Sequence, residues 1–241
     1  MLKQSHLQIE MDQLADIALL PGDPDRVDRI ATYCTDVEQV ARNREYKVVN
    51  ATYEGTPLTI ASTGIGAPSA AIAIEELANV GVETILRVGT TGALQEGIEI
   101  GDMVVATAAA KNEGTSDRYE SAAYPAVADY DALTTLVETA EAHDEDIHVG
   151  PIATDDAFYN ETEEIVADWE AAGILAVEME ASALFTLARR RDIRAGAICT
   201  VDGNLVEGTQ KGATDERELP DKAKNNIGRA IEIALDAATE L

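Results

Sequence analysis

The chain has 241 residues, a length that predicts one sizeable α/β domain over residues 1–241 rather than two domains. Hydrophobic residues make up 46% of it, enough to bury a core, so intrinsic disorder is excluded. There are 18 Lys and Arg against 45 Asp and Glu, and the formal net charge of −27 excludes a general nucleic-acid-binding protein, which needs positive charge.

Short apolar runs alternate with amphipathic stretches along the chain, and Gly and Pro mark many of the boundaries. Because strands alternate with helices, we expect the α/β class, with a twisted, mostly parallel central sheet flanked by helices and made mixed by one hairpin. In chain order the predicted elements are a strand 17–20, a helix that begins near Pro24, a hairpin of strands 46–53 and 58–63, a helix 70–80, a strand 84–88, a strand 103–107, a helix 130–142, a strand 147–154, a helix 161–172, a strand 175–177, a helix 181–191, a strand 195–201 and a helix 221–241.

The acidic residues are dispersed over the predicted helices instead of forming one tail. Aromatic residues make up only 4% of the chain. This composition is typical of a halophilic protein, because salt near 1 M shortens the screening length to about 3 Å and relieves repulsion between carboxylates. An ordinary acidic cytosolic protein is the alternative interpretation.

Cys34 and Cys199 are the two cysteines and lie far apart in sequence, which predicts buried thiols rather than a disulfide or a Cys-based metal site. Acidic Glu10 and Asp12 occupy a region that is basic in signal peptides, and no apolar run approaches the ~20 residues of a membrane span. We therefore expect a cytoplasmic protein with no membrane partner.

Two predicted strands end in polar, glycine-containing segments where ligands collect in α/β proteins. The first is PGDPDR at 21–26, in which Gly22 permits close backbone approach and Arg26 lies in the first turn of a helix, an arrangement that suits an anion. The second is RVGTTG at 87–92, in which Arg87 lies in an apolar strand and needs a charged partner. Taken alone, Arg26 is more often a solvated helix residue and the second segment a tight turn.

A third segment, VEMEAS at 177–182, joins a strand to a helix. Carboxylates such as Glu178 and Glu180 can accept hydrogen bonds from paired sugar hydroxyls, and Met179 offers an adaptable apolar surface. Charge partners of a helix N-terminus are the alternative for both glutamates. The segment ASTGIG at 61–66 lacks the third glycine of a dinucleotide fingerprint, so we expect no nicotinamide cofactor.

PGDPDR, TGIG at 63–66, RVGTTG and VEME occur in the order and spacing found in one enzyme family. From about His6 to the C-terminal helix, the chain resembles the nucleoside phosphorylases, which include bacterial uridine phosphorylases and hexameric purine nucleoside phosphorylases. The resemblance implies reversible, phosphate-dependent cleavage of a ribonucleoside to a free base and ribose 1-phosphate, a pentosyl transfer. It implies inorganic phosphate as co-substrate, no organic cofactor, and a homo-oligomer, a hexamer built as a trimer of dimers.

The resemblance also implies roles for individual residues. Arg87, Glu180 and Asp202 would be catalytic. Phosphate would be bound by Gly22, Arg26, Arg87 and Thr90 with Arg44 from a neighbouring subunit, ribose by Glu178, Met179 and Glu180 with His6 from the neighbour, and a monovalent cation, potassium, at Glu45, Ile65 and Ser69.

The base-recognition segment departs from the uridine branch of the family. Phe158 would stack on the base, but the positions after Phe158-Tyr159 contain neither the Gln nor the Arg that reads uracil. Downstream, Asp202 and Asn204 compete for the role of the purine-binding Asp, with Arg217 further along. We therefore favour a purine nucleoside, guanosine or inosine, with uridine as the alternative. A nucleosidase that uses water and a non-catalytic nucleoside-binding protein are the remaining readings.

Overall fold

The computed structural model describes residues 3–209 and 219–241. Within these ranges the chain forms nine strands, and the predicted strands are all found. The strands are β1 (Ile17–Leu20), β2 (Thr35–Asn43), β3 (Tyr46–Tyr53), β4 (Thr56–Ala61), β5 (Thr84–Ala93), β6 (Met103–Asn112), β7 (Ile147–Asp155), β8 (Ala176–Glu178) and β9 (Arg194–Asn204).

Three of the six described α-helices begin at a residue whose side chain caps them. Asp23 caps the first helix by accepting a hydrogen bond from the backbone N–H of Asp25 at 2.8 Å, and Pro24 occupies its first turn. The α-helices of the described residues are α1 (Pro24–Ala31), α2 (Ala67–Asn79), α3 (Tyr130–Ala142), α4 (Glu163–Ala171), α5 (Ala181–Arg190) and α6 (Asp221–Thr239).

All nine strands belong to one mixed sheet in the order β2-β3-β4-β1-β5-β8-β7-β6-β9. Strand β5 also pairs with β9, so the last five strands close into a ring. The pairs β1–β4, β1–β5, β5–β9, β6–β7 and β7–β8 are parallel. The expected mixed sheet is confirmed, with antiparallel pairs β5–β8 and β6–β9 in addition to those of the β2-β3-β4 meander.

The two faces of the sheet are covered by different helices. Helices α2 and α5 pack on one face, and α1, α3 and α6 pack on the other. Successive side chains of β5 alternate between them, so Ile85 packs toward α2 and α5 while Leu86 and Val88 pack toward the opposite helices. Arg87, between Leu86 and Val88, therefore lies on the same face as Ile85.

The sequence patterns do not predict strand β2. Most of its residues are exposed at the edge of the sheet, so it has no apolar alternation to reveal it. Strands β5, β6 and β9 also extend beyond the predicted apolar runs. The added residues of β5 and β9 include Thr90 and Asp202, which line the cavity described below. Within the described ranges, no helix combines the length and the apolar character required to cross a membrane.

Candidate active site

A cavity of about 790 Å³ lies where β1, β5, β8 and β9 end. The parallel strands β1, β5 and β9 bring their carboxyl ends to one edge of the sheet, and β8, antiparallel to β5, adds the VEME segment there. The cavity is lined by Gly22, Asp23, Pro24, Arg26, Glu45, Gly64, Ile65, Ser69, Arg87, Gly89, Thr90, Thr91, Gly92, Phe158, Tyr159, Val177, Glu178, Met179, Glu180 and Asp202.

Arg87 is the buried charge at the centre of this site. Its Nε donates to Glu178 Oε2 at 3.0 Å, and its Nη2 donates to Glu180 Oε2. The three side chains are 4–5% exposed, so their charges interact with little screening by water. Its Nη1 is buried and has no hydrogen-bond partner among the described residues. The expected charged partners of Arg87 are thus the two glutamates of VEME, and one guanidinium nitrogen remains for a ligand.

Glu180 is held at both carboxylate oxygens. Its Oε1 accepts from the backbone N–H of Gly66, the N-cap of α2, at 2.6 Å, and its Oε2 accepts from Arg87. Burial, together with repulsion from Glu178, raises the pKa of Glu180 to about 7, against the attraction of Arg87. Burial opposes the charge on Arg87, but the attraction of both carboxylates outweighs it and raises the pKa of Arg87 above its ordinary value.

Glu178 has no free hydrogen-bonding capacity in this arrangement. Its carboxylate accepts from Thr154 Oγ1 at 2.7 Å, Arg87 Nε at 3.0 Å, and the backbone N–H groups of Glu180 and Ala181 at 2.9 Å each. Four donors occupy the roughly four acceptor positions of a carboxylate. Glu178 therefore fixes Arg87 and the first turn of α5, and no lone pair of Glu178 remains for a ribose hydroxyl.

The sequence matches one family model, described as the phosphorylase superfamily, over residues 16–239. The chain belongs to the phosphorylase superfamily. It is 67% identical to a guanosine phosphorylase of Halorubrum lacusprofundi over 241 residues, the whole of both chains. It is 41% identical to a uridine phosphorylase of Thermococcus kodakarensis over 228 residues, covering 89% of this chain and 82% of the relative.

A solved structure supports the assignment of the chain to this superfamily. The uridine phosphorylase of Vibrio fischeri superposes with a TM-score of 0.93 at 36% identity, over 100% of this chain and 99% of the other. The nucleoside phosphorylase family and fold predicted from the four motifs are confirmed. The chain is an enzyme of the pentosyltransferase class, with a nucleoside and phosphate as its substrates.

The phosphorylase brings the expected phosphate-binding residues of its own chain together. Arg26, at 8% exposure, and Arg87 line the cavity with Gly22 and Thr90. Gly89 provides space for this arrangement, because a Cβ there would lie 3.0 Å from Arg87 Nη2 and 3.2 Å from its Cζ. No sequence pattern distinguishes Gly89 from its neighbours, since the need for a small residue arises from the folded-back Arg87 side chain.

The expected cation positions lie beside one another at the cavity wall. Ser69 Oγ lies 3.1 Å from Glu45 Oε1 and 2.5 Å from the carbonyl oxygen of Thr63, two acceptors for its single hydroxyl hydrogen. A hydrogen bond from the backbone of Glu45 to its own carboxylate lowers the pKa of that carboxyl group, and the hydrogen bond from Ser69 contributes further. Ile65 is 78% exposed at the rim. Within the described residues, no cluster of three or more His, Cys, Asp or Glu could hold a metal ion.

Arg44 and His6 are absent from the wall of their own cavity as the structure describes it. Arg44 lies exposed in the two-residue turn between β2 and β3, with a φ of 54°. His6 lies on the surface of α2, where its Nδ1 and the Glu76 carboxylate are 2.8 Å apart. The structure therefore leaves both side chains outside the site that their own chain forms.

The base-recognition candidates differ in their placement. Phe158 and Asp202 line the cavity. Asn204 does not: its amide donates to the carbonyls of Gln95 and Ile98 at 2.9 Å each, and its Oδ1 accepts from the N–H groups of Val206 and Glu207. Asn204 thus holds together two loops, and of these two candidates Asp202 is the one that lines the cavity as the structure describes it. Arg217 lies outside the described residues.

The prediction that both cysteines are buried needs a correction. Cys199 is buried, and burial raises the pKa of its thiol to about 12, but Cys34 is only half-buried because it lies where the chain passes from α1 to the exposed edge.

Sequence reasoning also missed Thr154 and Asp155 at the end of β7. Asp155 accepts from Asn112 Nδ2 at 2.7 Å and from the N–H of Ala157 at 2.6 Å, which fixes the start of the loop that carries Phe158. Their position at a strand end was the available signal.

Proposed function

We propose that this phosphorylase catalyses the reversible phosphorolysis of guanosine and related 6-oxopurine ribonucleosides such as inosine, yielding the free base and ribose 1-phosphate. One observation carries the proposal. A single cavity combines two nearly buried guanidinium groups, a buried carboxylate next to Met179, and Phe158 with Asp202. These are the groups needed to bind an anion, a sugar and an aromatic base at the same time.

Phosphate would bind between Arg26, Arg87 and Thr90, with Gly22 permitting close backbone approach. The net charge of −27 repels a dianion at long range, so the attraction must come from guanidinium groups at short range in a site that excludes water. An oxygen of phosphate then forms a bond to the anomeric carbon of the ribose as the glycosidic bond breaks. The bound dianion also stabilises the positive charge that develops on the sugar.

Ribose would be held by Met179 and Glu180. In the unliganded arrangement, Glu180 Oε2 is occupied by Arg87. Phosphate competes for that guanidinium, and its binding releases the Glu180 oxygen to accept a hydrogen bond from a ribose hydroxyl. Fixing the sugar in line with phosphate supplies the positioning contribution to catalysis.

The leaving base takes the electron pair of the glycosidic bond and needs a proton or a hydrogen bond. Asp202 lines the cavity and is only 9% exposed, so it would deliver this interaction to the imidazole nitrogen of a purine. Phe158 would stack on the base. The relative that is 67% identical to this chain is named a guanosine phosphorylase, which supports the choice of a purine.

Uridine is the second candidate substrate because relatives at 41% and 36% identity are uridine phosphorylases. Against it, the segment after Tyr159 has no Gln or Arg to read the uracil edge. Arg26 and Arg87 in the cavity also argue against a nucleosidase, which has no phosphate to bind, and against a protein that binds nucleosides without cleaving them.

A panel of guanosine, inosine, adenosine and uridine, assayed with and without phosphate in concentrated KCl, tests the proposal. We expect phosphate-dependent release of base with kcat/KM for guanosine at least about tenfold above that for uridine. Asp202→Asn should lower guanosine cleavage by about 10²-fold or more. Equal cleavage of all four nucleosides without phosphate would overturn the assignment, and base binding without ribose 1-phosphate formation would indicate a binding protein.

The resemblance also supports a shared active site in a hexamer built from dimers. Arg44 and His6 lie outside their own cavity, where they could reach phosphate and ribose in a neighbouring subunit. For potassium at Glu45, Ile65 and Ser69, the side-chain oxygens of Glu45 and Ser69, with the nearby carbonyl of Thr63, are hard ligands of the type that alkali cations take. Light scattering of the purified protein, and activity in KCl compared with choline chloride, test these two points.

A further inference from the structure

A directional chain of hydrogen bonds lies behind Arg87, outside the cavity. The backbone N–H of Ser182 donates to Thr154 Oγ1 at 2.9 Å, and Thr154 Oγ1 donates to Glu178 Oε1 at 2.7 Å. The other oxygen of Glu178 accepts from Arg87 Nε at 3.0 Å. Thr154 and Ser182 are fully buried, and Thr154 and Glu178 are register partners in the parallel pair β7–β8.

The polarity of this chain is fixed by its two ends. A backbone N–H can only donate, so the Ser182 amide uses a lone pair of the Thr154 hydroxyl and leaves its single hydrogen for Glu178. A guanidinium can only donate as well, so Glu178 must accept from Arg87. The chain therefore has one arrangement of hydrogens, which fixes the rotation of the Glu178 carboxylate and, through it, the plane of Arg87.

The Ser182 end of this hydrogen-bond chain is anchored independently of the cavity. Ser182 Oγ donates to Glu113 Oε1 at 2.9 Å, and Glu113 also accepts from the backbone N–H groups of Thr115 at 2.6 Å and Ser116 at 2.9 Å. Burial opposes the charge on Glu113, but hydrogen bonds from the Ser116 hydroxyl and backbone N–H, and from Ser182 and Thr115, outweigh it and lower the pKa of Glu113. The first turn of α5 is thus tied to a loop on the side away from the proposed ligands.

We propose that Thr154 is a positioning residue for phosphate, acting through Glu178 on Arg87. Thr154 does not line the cavity as the structure describes it, so it makes no contact with a substrate there. The inference rests on the proposed function, in which Arg87 binds phosphate. Removal of the hydroxyl leaves Glu178 Oε1 and the Ser182 amide each without one bond. Glu178 keeps its backbone donors at Glu180 and Ala181 but loses the contact from β7, so its carboxylate can shift and carry Arg87 Nε with it.

The test compares Thr154→Val, which preserves shape and removes the hydroxyl, with Thr154→Ser, which keeps the hydroxyl. Thr84→Val is the matched control, since Thr84 is a fully buried threonine on the strand of Arg87 and its hydroxyl has no hydrogen-bond partner in the described part of the chain. We expect Thr154→Val to raise the KM for phosphate about tenfold while the KM for the nucleoside changes less than about twofold. Thr154→Ser and Thr84→Val should keep both values near those of the unmodified enzyme.

Titration calorimetry with inorganic phosphate alone separates this inference from the proposed function. If the unmodified enzyme binds phosphate but cleaves no nucleoside, the proposed function fails, and a weaker phosphate affinity of Thr154→Val would still support the positioning role. An unchanged phosphate affinity in folded Thr154→Val, or an equal rise of both KM values, would overturn it. Should Thr154→Val not fold, Thr154→Ala also removes the hydroxyl and adds no bulk, and phosphate binding as tight as in the unmodified enzyme would overturn the role in the same way.

Discussion

Arg87 and Glu180 form a buried ion pair inside the cavity that both side chains line. Arg87 is also paired with Glu178, so two carboxylates share one guanidinium in a region with little water. Glu178 is stabilised by three further donors, from Thr154, Glu180 and Ala181. Among the described residues Glu180 has one other donor, Gly66, and is therefore the carboxylate whose charge is the less stabilised of the two.

The pH dependence of stability should report on Glu180. Its pKa is about 7 in the fold against 4.5 for an ordinary glutamate, so the folded chain retains a proton that the unfolded chain has released between these values. The stabilising contribution is complete below about pH 4.5 and is lost as the pH rises through 7. We expect the free energy of unfolding of the unmodified protein, relative to Glu180→Gln, to fall over this range by at most about 1.4 kcal/mol per pH unit.

Urea unfolding at a constant, high KCl concentration measures this difference. Glu240→Gln, at the C-cap of α6, removes one carboxylate elsewhere in the chain and should leave the pH profile unchanged. A difference between the unmodified protein and Glu180→Gln that rises with pH, or stays flat from pH 5 to pH 8, contradicts the placement of the titrating proton on Glu180.

Gly64→Ala should disrupt the wall of the cavity. Gly64 has a φ of 70°, and a Cβ there would lie 2.6 Å from Glu45 Cγ and 2.7 Å from Ser69 Oγ. Backbone strain and overlap together should cost about 2 kcal/mol or more, and the Glu45–Ser69 hydrogen bond should be displaced. Thermal unfolding measures the first effect, and loss of any stimulation of activity by potassium measures the second.

Gly55→Ala separates strain from overlap. Gly55 has a φ of 89° in the turn between β3 and β4, but a Cβ there would have no atom within 4 Å. This variant should lose about 1 kcal/mol, from strain alone, and retain full activity. Equal losses of stability and activity in Gly64→Ala and Gly55→Ala would show that the overlap at Gly64 adds nothing to the backbone strain.

Glu76→Gln should release the segment that carries His6. The Glu76 carboxylate, buried on α2, accepts from the backbone N–H groups of His6 at 3.0 Å and Leu7 at 2.7 Å and bonds His6 Nδ1. A glutamine places an NH₂ group against these donors, which should cost about 1–3 kcal/mol. If His6 reaches the ribose of a neighbouring subunit, the KM for the nucleoside rises while the KM for phosphate does not.

The adjacent Glu75→Gln is the control for this change. Glu75 pairs with Arg191 at 3.5 Å on a partly exposed surface, so the same loss of charge one position away should cost less than about 1 kcal/mol. Equal effects of both variants on stability and on the nucleoside KM would show that the His6 segment does not depend on the Glu76 contacts.

The sequence was sufficient to locate most of the site because each motif carries its own signal. PGDPDR and RVGTTG combine an apolar strand with glycine and a basic side chain, and VEME places two carboxylates at a strand end. The first two segments meet at one edge because β1 and β5 are parallel, and β8 brings VEME beside them by pairing antiparallel with the end of β5, which is why Arg26, Arg87 and Glu180 line the same cavity.

The remaining contacts depend on register, which no local pattern encodes. Thr154 meets Glu178 because β7 and β8 pair in parallel with these residues opposite one another. Asp202 and Asn204 lie two residues apart on β9, and they differ because the loops around Asn204 take all of its hydrogen bonds. The strand β2 escaped notice since an exposed edge strand needs no apolar residues.

Stability should increase with salt, because the chain holds 45 acidic residues against 18 basic ones. Even if every Lys and Arg were paired, as Arg229 is with Glu145 and Glu232, most carboxylates would have no cationic side chain of their own. Their repulsion extends over about 10 Å in 0.1 M salt and about 3 Å at 1 M. We expect the midpoint of thermal unfolding to rise steadily with KCl between these concentrations, and with choline chloride to a similar extent, since screening does not depend on the identity of the cation. Full stability in dilute buffer would contradict this explanation, and a response to KCl alone would assign the effect to a specific site, with Glu45 and Ser69 as the first residues to substitute.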